Sequence, residues 1–236
     1  MISYSSKLRS SQPEIMDDLE LQGESLKELL DDLRIVNKWL GGNSITLDGI
    51  EQLLDKSVKN ESLTVLDVGC GDGEVLRQCI HWASKRQIEL HVIGIDANPH
   101  ILIEANKRSE HLENYSFKVM DILSEKEEIP AFDIALCTLF LHHFSEKQIV
   151  HLTNRLSAQA KVGVVINDLH RSRWAFWLFR IFSSVFLKTK IARHDGLVSV
   201  ARGFKKHELV QMSTNIEGQH RMKWKWAFRY QWILKK

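Results

Sequence analysis

The feature that most limits the possible folds of this chain is the stretch VLDVGCGDG at residues 65–73. A short apolar run ends here, and glycines follow at Gly69, Gly71 and Gly73. Residues 74–85 then form a helix-like segment. Glycine permits a left-handed backbone and the close approach of a ligand. A strand, a glycine-rich turn and a helix in this order predict a ligand-binding turn at the C-terminal edge of an open α/β sheet.

Strand-like and helix-like runs alternate along most of the chain, which predicts an α/β fold with a doubly wound, mostly parallel seven-stranded sheet. The predicted strands are residues 63–68, 90–95, 115–120, 132–137, 161–167, 217–222 and 225–234. Helices are predicted at residues 74–85, from Pro99 with Asn98 as its cap, from Ser145, and at residues 205–213. The last two strands are expected to form an antiparallel hairpin at the edge of the sheet.

Two segments lie outside this alternation. Predicted helices at residues 13–36 and 46–59 precede the first strand, so residues 1–60 are expected to form an N-terminal helical cap on a main domain of residues 61–236. These helices either cover one sheet face or close over the ligand cleft, and the sequence leaves both open. Residues 171–203 form a hydrophobic helical insertion after the fifth strand.

Composition excludes several classes of protein. The net charge of +2 over 236 residues gives no support for a polyelectrolyte role. Cys70, Cys79 and Cys137 have neither disulfide nor metal spacing, which favours reduced thiols in a cytoplasmic protein. The N-terminus lacks the apolar core of a signal peptide, and no apolar run approaches transmembrane length. No paired metal-ligand spacing occurs among the acids and histidines, so no metal site is expected.

Three features limit which ligand the glycine-rich turn can bind. The spacing Gly69-x-Gly71-x-Gly73 is followed by Glu74, whereas a dinucleotide fingerprint requires glycine or alanine at that position. Asp67 precedes the turn, where a carboxylate suits a cation better than a phosphate. Asp96 ends the second strand, where a carboxylate can accept hydrogen bonds from ribose hydroxyls. A ligand with ribose, adenine and a charged amino-acid tail, but without phosphate, is S-adenosylmethionine.

The motifs VLDVGCGDG, VIGID, Met120-Asp121 and FDIALCTLFLHHF resemble those of class I S-adenosylmethionine-dependent methyltransferases, with their Rossmann-like fold, over residues 60–170. The resemblance implies that Asp67, Gly69, Cys70 and Gly71 line the methionine part of the cofactor. It also implies further cofactor-binding positions at Asp96 for the ribose, Ala97 beside the adenine, Asp121 for the adenine amino group, Ile122 on the ring, and Thr138 and Leu139 at the transfer site. The alternative for Asp121 is a helix cap at the end of a strand.

A closer resemblance is carried by the phrases PEIMDD, NDLHRSRWAFW and RHDGLVSVARGF. They are similar to phrases of small methyltransferases found beside type III polyketide synthases, which are distant relatives of the ubiquinone and menaquinone methylases. That resemblance implies secondary metabolism and a phenolic, polyketide-type or quinone-type acceptor. We expect methylation on oxygen, and methylation on carbon is the alternative.

The insertion gives independent information on the acceptor. Residues 174–187 are dense in Trp, Phe, Leu and Ile, and arginines and lysines flank them from Arg171 to Arg193. This composition is typical of a membrane-interface segment, and it also suits a lid over a hydrophobic substrate or a buried helix. We therefore expect a hydrophobic small-molecule acceptor, with peripheral membrane contact through residues 171–193 as a further expectation.

Histidines near the predicted cleft are candidates for the general base that an oxygen nucleophile needs. His143 follows the fourth strand, His170 follows the fifth, and His194 lies in the segment Arg193-His194-Asp195-Gly196, which is predicted to be a turn. All three are predicted catalytic residues. For each of them, a structural or exposed side chain is the alternative.

Two other classes of function remain open at this stage. One is an RNA or protein methyltransferase. It is disfavoured because residues 137–140, Cys-Thr-Leu-Phe, stand where many amino-methylating enzymes have an Asn/Asp-Pro-Pro-Tyr-like tetrad. No separate basic domain is evident in the sequence either, so nucleic acid is not expected as a partner. The other is a noncatalytic cofactor-binding module or an NAD-linked oxidoreductase. Asp67, Asp96 and Asp121 together argue against both.

Overall fold

The computed structural model describes residues 2–54 and 62–236, and its core is a seven-stranded sheet in the order β3-β2-β1-β4-β5-β7-β6. Strands β1 to β5 run parallel, and β7 lies antiparallel between β5 and β6. The strands are β1 Leu63–Val68, β2 Leu90–Asp96, β3 Tyr115–Val119, β4 Ile134–Thr138, β5 Gly163–Leu169, β6 Gln219–Lys225 and β7 Arg229–Lys235. The predicted fold, including the antiparallel hairpin at the edge, is confirmed.

Helices cover both faces of this sheet because successive strand residues point to opposite sides. On one face Leu66 and Val164 pack with apolar residues of α5 and α8, whereas on the other face Val65 and Val165 pack with α2, α3 and α4. The helices are α1 Gly23–Trp39, α2 Gly42–Leu53, α3 Glu74–Ser84, α4 Pro99–Ser109, α5 Glu146–Gln159, α6 Arg173–Phe186, α7 Lys190–Arg202 and α8 Lys206–Ser213.

The N-terminal segment and the insertion pack on each other, although they are far apart in the sequence. Leu29 of α1 shares an apolar cluster with Phe179 of α6 and Ala192 of α7. The carboxylate of Asp32 in α1 accepts hydrogen bonds from the backbone N–H groups of Lys188 and Thr189, at the N-terminus of α7. These contacts bring α1, α6 and α7 together over the C-terminal edge of the parallel strands.

The predicted N-terminal helix at residues 13–36 is wrong in its first half. A short 3₁₀ turn at Ile15–Asp17 stands there instead, and α1 begins only at Gly23, whose φ is +71°. The backbone N–H groups of Ile15 and Met16 donate to the Asp195 carboxylate of α7. This segment is therefore held by the insertion and not by a helix of its own.

Other predicted boundaries need smaller corrections. The helix predicted from residue 46 begins at Gly42, directly after the left-handed Gly41. Its predicted end at residue 59, and the domain boundary between residues 60 and 61, lie outside the described residues. Among the residues that the structure describes, no helix is both long and apolar enough to cross a membrane.

The predicted turn at residues 193–196 is also wrong, since these residues lie inside α7. Gly196 lies against the ring of Phe179 in α6, where a Cβ atom would come within 2.2 Å of the ring carbon Cζ. The glycine therefore allows two helices to pack closely and does not mark a turn.

Candidate functional site

The glycine-rich turn between β1 and α3 is held to the end of β2. The N–H groups of Gly69 and Cys70 both donate to the carbonyl oxygen of Ile95. Gly69 has a φ of +69°, and a Cβ atom at this position would lie 2.1 Å from the ring of Phe140. Gly71, at φ +53°, has open space on its side, so its backbone is accessible to a ligand. The turn thus forms one wall of a cavity, as predicted.

Asp67 is buried at the end of β1, and its Oδ1 atom has no hydrogen-bond partner among the described residues. Burial, together with the nearby Asp96 carboxylate, raises the pKa of Asp67 to about 8. Asp96 accepts hydrogen bonds from the N–H groups of Gly71 and Asn98, each at 3.0 Å. Two carboxylates therefore face the same cavity, and a cationic group there would pair with Asp67.

The far end of this cavity is lined by Ala97, Asp121 and Ile122. The Oδ1 atom of Asp121 accepts a hydrogen bond from the N–H of Leu123 at 3.0 Å. This bond lies in a turn and not at the start of a helix, so it is not the helix cap that was the alternative for Asp121. That bond engages one oxygen only, so the second oxygen of the same carboxylate can still accept a hydrogen bond from a ligand.

The whole cavity has a volume of about 370 Å³ and lies at the C-terminal edge of β1, β2 and β4. All ten predicted cofactor-binding residues line it: Asp67, Gly69, Cys70, Gly71, Asp96, Ala97, Asp121, Ile122, Thr138 and Leu139. Thr138 shares a hydrogen bond with Thr46 of α2, and Leu139 has a left-handed backbone with φ +53°. We call this space the polar cavity.

A second cavity of about 160 Å³ adjoins the polar cavity. Its wall consists of apolar residues from α1, α6, α7 and the β6–β7 hairpin, with Ser199 and Arg229 as the polar side chains. Five residues line both spaces, namely Leu33, Val36, Leu139, Leu169 and Ser199. We call this second space the apolar cavity. A molecule in it would meet a ligand of the polar cavity near Leu139.

His143 lines the polar cavity, and its Nδ1 atom lies 2.8 Å from Oδ1 of Asp17. Burial opposes ionisation of Asp17, but the hydrogen bond from His143 and the charge of Arg202 outweigh it, so the pKa of Asp17 is lowered. An ionised Asp17 holds the His143 proton on Nδ1, which leaves Nε2 as the nitrogen able to accept a proton. This pair is a candidate acid–base group.

His142, the neighbouring residue, follows the same strand on the cleft side but was not among the predicted catalytic residues. Its Nδ1 atom lies 2.7 Å from Oδ1 of Asp168, and its Nε2 atom lies 3.4 Å from Oε1 of Glu14. Burial alone would lower the pKa of His142, but the two carboxylates raise it to about 9. All three side chains are buried. A charged imidazolium between two carboxylates therefore stands at the wall of the polar cavity.

Glu14, His142 and His143 offer three potential metal-ligand atoms within 4.8 Å of one another. Most of these groups already have partners, however. Ser199 donates to Glu14, while Asp17 and Asp168 accept from the two histidines. An ion-pair network accounts for the cluster, so we assign it no metal.

Comparison with known proteins places the chain in a family. A family model described as a methyltransferase domain matches residues 59–222. The chain belongs to this methyltransferase family. The predicted enzyme class, a class I methyltransferase, and the predicted cofactor, S-adenosylmethionine, are confirmed with it. No match to the sequence was found among curated proteins.

Solved structures similar to this methyltransferase share its fold at low sequence identity. The plantazolicin methyltransferase BpumL in complex with SAH is 16% identical, with a TM-score of 0.63 over 89% of this chain and 90% of that chain. Human N-acetylserotonin methyltransferase in complex with SAM is 16% identical, with a TM-score of 0.61 over 90% of this chain and 56% of that one. Magnesium protoporphyrin IX methyltransferase from Synechocystis PCC 6803 with bound SAH is 14% identical, with a TM-score of 0.57 over 88% and 94%.

Two of the three predicted catalytic histidines of the methyltransferase lie outside the lining of both cavities. The Nδ1 atom of His170 accepts a hydrogen bond from the indole of Trp224, and burial lowers the pKa of this histidine. His194 lies on α7 with its Nδ1 atom 2.8 Å from Asp195. Only His143 of the three faces the space where a ligand would bind.

Proposed function

We propose that this enzyme transfers a methyl group from S-adenosylmethionine to an oxygen of a hydrophobic small molecule of phenolic, polyketide or quinone type. The observation that carries the proposal is the apolar cavity, which shares five wall residues with the polar cavity. An acceptor of this kind fits a space of about 160 Å³ with an almost entirely aliphatic and aromatic lining.

The residues of the polar cavity suit the cofactor. Asp67 offers a buried carboxylate oxygen without a partner to the ammonium group of the methionine part. Asp96, with two backbone N–H donors on its carboxylate, is held in place to accept from ribose hydroxyls. When bound, the cofactor supplies an electrophilic methyl group on a sulfonium. The protein contributes position and electrostatics.

We assign the general base to His143. Its Nδ1 atom is engaged by Asp17, so Nε2 is available to accept a proton from an acceptor hydroxyl. The charged network joins the His142 side chain to Glu14 and Asp168. Arg9 and Arg202 also donate to the carbonyl oxygen of His142. These contacts together hold the segment that carries His143. We propose a positioning role for this network, whereas His170 and His194 line neither cavity.

Methyl transfer from radiolabelled S-adenosylmethionine tests the proposal. Alkyl-substituted phenols should accept the label, while bulk RNA and a protein mixture should not.

His143→Gln should lower kcat by about 100-fold or more, the range for loss of a general base. The exposed His151 of α5 provides the control, and His151→Gln should be silent. Label found on RNA or protein, or none on any phenol, would contradict the proposal, and full activity of His143→Gln would remove the assigned base.

We further propose that the enzyme contacts membranes through α6. Two faces of this helix are apolar. Phe179 and Phe182 line the apolar cavity, whereas Trp174, Trp177 and Val185 are exposed on the outer face. Exposed basic residues accompany that face, namely Arg173, Arg180, Lys188 and Lys190. Tryptophan beside lysine and arginine suits the headgroup region of an anionic bilayer.

The mouth of the apolar cavity supports the same idea. Leu178 and Trp226 both line that cavity and are exposed. A hydrophobic acceptor could therefore pass between a bilayer and the cavity along apolar surface. Cosedimentation with vesicles of phosphatidylcholine, with and without phosphatidylglycerol, is the test. Trp174→Ser with Trp177→Ser should abolish binding to the anionic vesicles, whereas Ile103→Ser, an equally exposed site on α4, should not. Equal binding by all variants would contradict membrane contact through α6.

A further inference from the structure

Arg229 is a buried charged residue in the wall of the apolar cavity. It begins β7, where it pairs with Leu169 of β5 on one side and Lys225 of β6 on the other. Its side chain is 1% exposed, although the surrounding wall is aliphatic and aromatic. A guanidinium in such a place is exceptional, because arginine is almost never fully buried without a partner.

Two of the three guanidinium nitrogens of Arg229 lack partners among the described residues. Its Nε and Nη1 atoms have no hydrogen-bond partner within the described ranges, 2–54 and 62–236. Buried polar groups in folded proteins are nearly always hydrogen-bonded, so unsatisfied donors in a cavity wall call for an explanation. Arg171, a similarly buried residue, shows the ordinary solution, since its Nη1 and Nη2 atoms donate to the Glu208 carboxylate at 2.9 and 2.6 Å.

The surroundings do not neutralise the charge of Arg229. Burial lowers the pKa of Arg229 to about 10, so the group is still charged near neutral pH. Asp168 is the acid that acts on it, and that carboxylate already accepts from His142. The guanidinium also lies beside Gly42, where a Cβ atom would be 3.1 Å from both Nη atoms. Gly42 begins α2, and the N-terminus of a helix carries partial positive charge. The start of α2 therefore adds no negative charge beside the guanidinium.

We propose that Arg229 is the binding group for an acidic acceptor, and that the substrate is an apolar aromatic compound with a carboxylate. A carboxylate is ionised at neutral pH and can accept two parallel N–H bonds from a guanidinium. It would balance the buried charge and accept from the face of the guanidinium that lines the cavity. The apolar part of the same molecule would fill the space between α6 and α7. This inference rests on the proposed function and specifies its substrate class.

The experiment compares two acceptors that differ only in the carboxylate, 2-hydroxy-4-pentylbenzoate and 3-pentylphenol. In the wild-type enzyme the acid should have a KM at least about tenfold lower than the neutral phenol, the effect of a buried charge-assisted bond pair. Arg229→Met keeps the apolar stem and removes the charge. It should raise KM for the acid at least about tenfold, while KM for the phenol stays the same or falls. Arg229→Lys should retain part of the preference.

The control is Arg221→Met, which removes a positive charge from the exposed surface of β6 and should leave both KM values unchanged. Affinity for S-adenosylhomocysteine reports whether each variant is folded. A wild-type enzyme without preference for the acid, or a variant that loses both acceptors equally while still binding S-adenosylhomocysteine, would overturn the role of Arg229.

Calorimetric titration of the S-adenosylhomocysteine complex with 2-hydroxy-4-pentylbenzoate separates this inference from the proposed function. If the acid binds to wild type and not to Arg229→Met, but neither acceptor is methylated, the site stands and the proposed reaction fails. If the phenol is methylated and the acid does not bind, the reaction stands and the role of Arg229 fails.

Discussion

Asp67 illustrates how a single residue can be unfavourable for the free protein and useful for binding. Its carboxylate is buried, has an oxygen without a hydrogen-bond partner among the described residues, and lies near a second acid. The native state therefore retains the Asp67 proton up to a pKa of about 8, whereas an unfolded chain loses it near the ordinary value for aspartate. Between these two values the native state binds more protons, so the free energy of unfolding falls as pH rises.

Asp67→Asn should therefore stabilise the cofactor-free protein at pH values close to 8 and have less effect at pH values near 4. A gain of 1 kcal/mol corresponds to about 2–4 °C in Tm for a chain of this size. The same substitution should weaken binding of S-adenosylhomocysteine at least about tenfold, because a charge-assisted hydrogen bond to the ammonium group is lost. Thermal denaturation over this pH range and calorimetry are the measurements. A lower Tm for the variant near pH 8 would contradict the argument.

Sequence reasoning was effective for residues whose role follows from their place at a strand end. Asp67 is the second-last residue of a predicted strand, Asp96 and Asp121 each follow one directly, and all three line the polar cavity. It failed for groups whose partners are distant in the chain. His142 meets Asp168, 26 positions later, and Glu14 from the N-terminal segment, while Arg229 is notable only because two of its nitrogens have no partner within the part of the chain that the structure describes. Neither property is visible without three-dimensional contacts.

At the scale of elements, the five parallel strands could be located from apolar runs bounded by turn residues, and the structure moves their ends by only one or two positions. The helices of the N-terminal segment and the insertion were harder, because their ends depend on contacts with each other. Gly196 resembled a turn signal next to His194 and Asp195, yet its role is to admit Phe179 between two helices. Local patterns cannot distinguish these two uses of glycine.

The contact between α1 and the N-terminus of α7 gives a prediction at this scale. Asp32 is buried and accepts from the N–H groups of Lys188 and Thr189 and from the Thr189 hydroxyl, at 2.8–3.0 Å. Asp32→Ala would leave these donors at the start of α7 without a partner, at a cost of about 1–3 kcal/mol. Because α7 forms a wall of the apolar cavity, KM for the acceptor should rise, whereas affinity for S-adenosylhomocysteine should change little.

Chemical denaturation and steady-state kinetics would measure these effects. Glu28→Ala is the matched control, since Glu28 is exposed on the same helix, and it should leave both stability and KM unchanged. If Asp32→Ala weakened cofactor binding as strongly as it affected the acceptor, the contact between α1 and the start of α7 would not act chiefly on the apolar cavity, and the argument would be wrong.

On the scale of the whole molecule, the two cavities are closed by the N-terminal segment and the insertion, which are far apart in the chain. Glu14 and Met16 lie in the wall of the polar cavity, and the backbone N–H of Met16 donates to Asp195 of α7. Leu33 of α1 and Ser199 of α7 line both cavities. Ligand binding should therefore stabilise the N-terminal segment and the insertion together, although the glycine-rich turn belongs to neither.

Hydrogen exchange measured by mass spectrometry, with and without S-adenosylhomocysteine, tests this coupling. Protection should increase in the glycine-rich turn and at the end of β2. It should increase as well in residues 14–36 and in α7, because opening of these segments exposes the walls of the occupied cavity. Strand β6 serves as the internal control, since it lies at the sheet edge away from the polar cavity and should be unaffected. Protection confined to the glycine-rich turn and β2 would contradict this coupling, because closure of the N-terminal segment and α7 would then not depend on the cofactor.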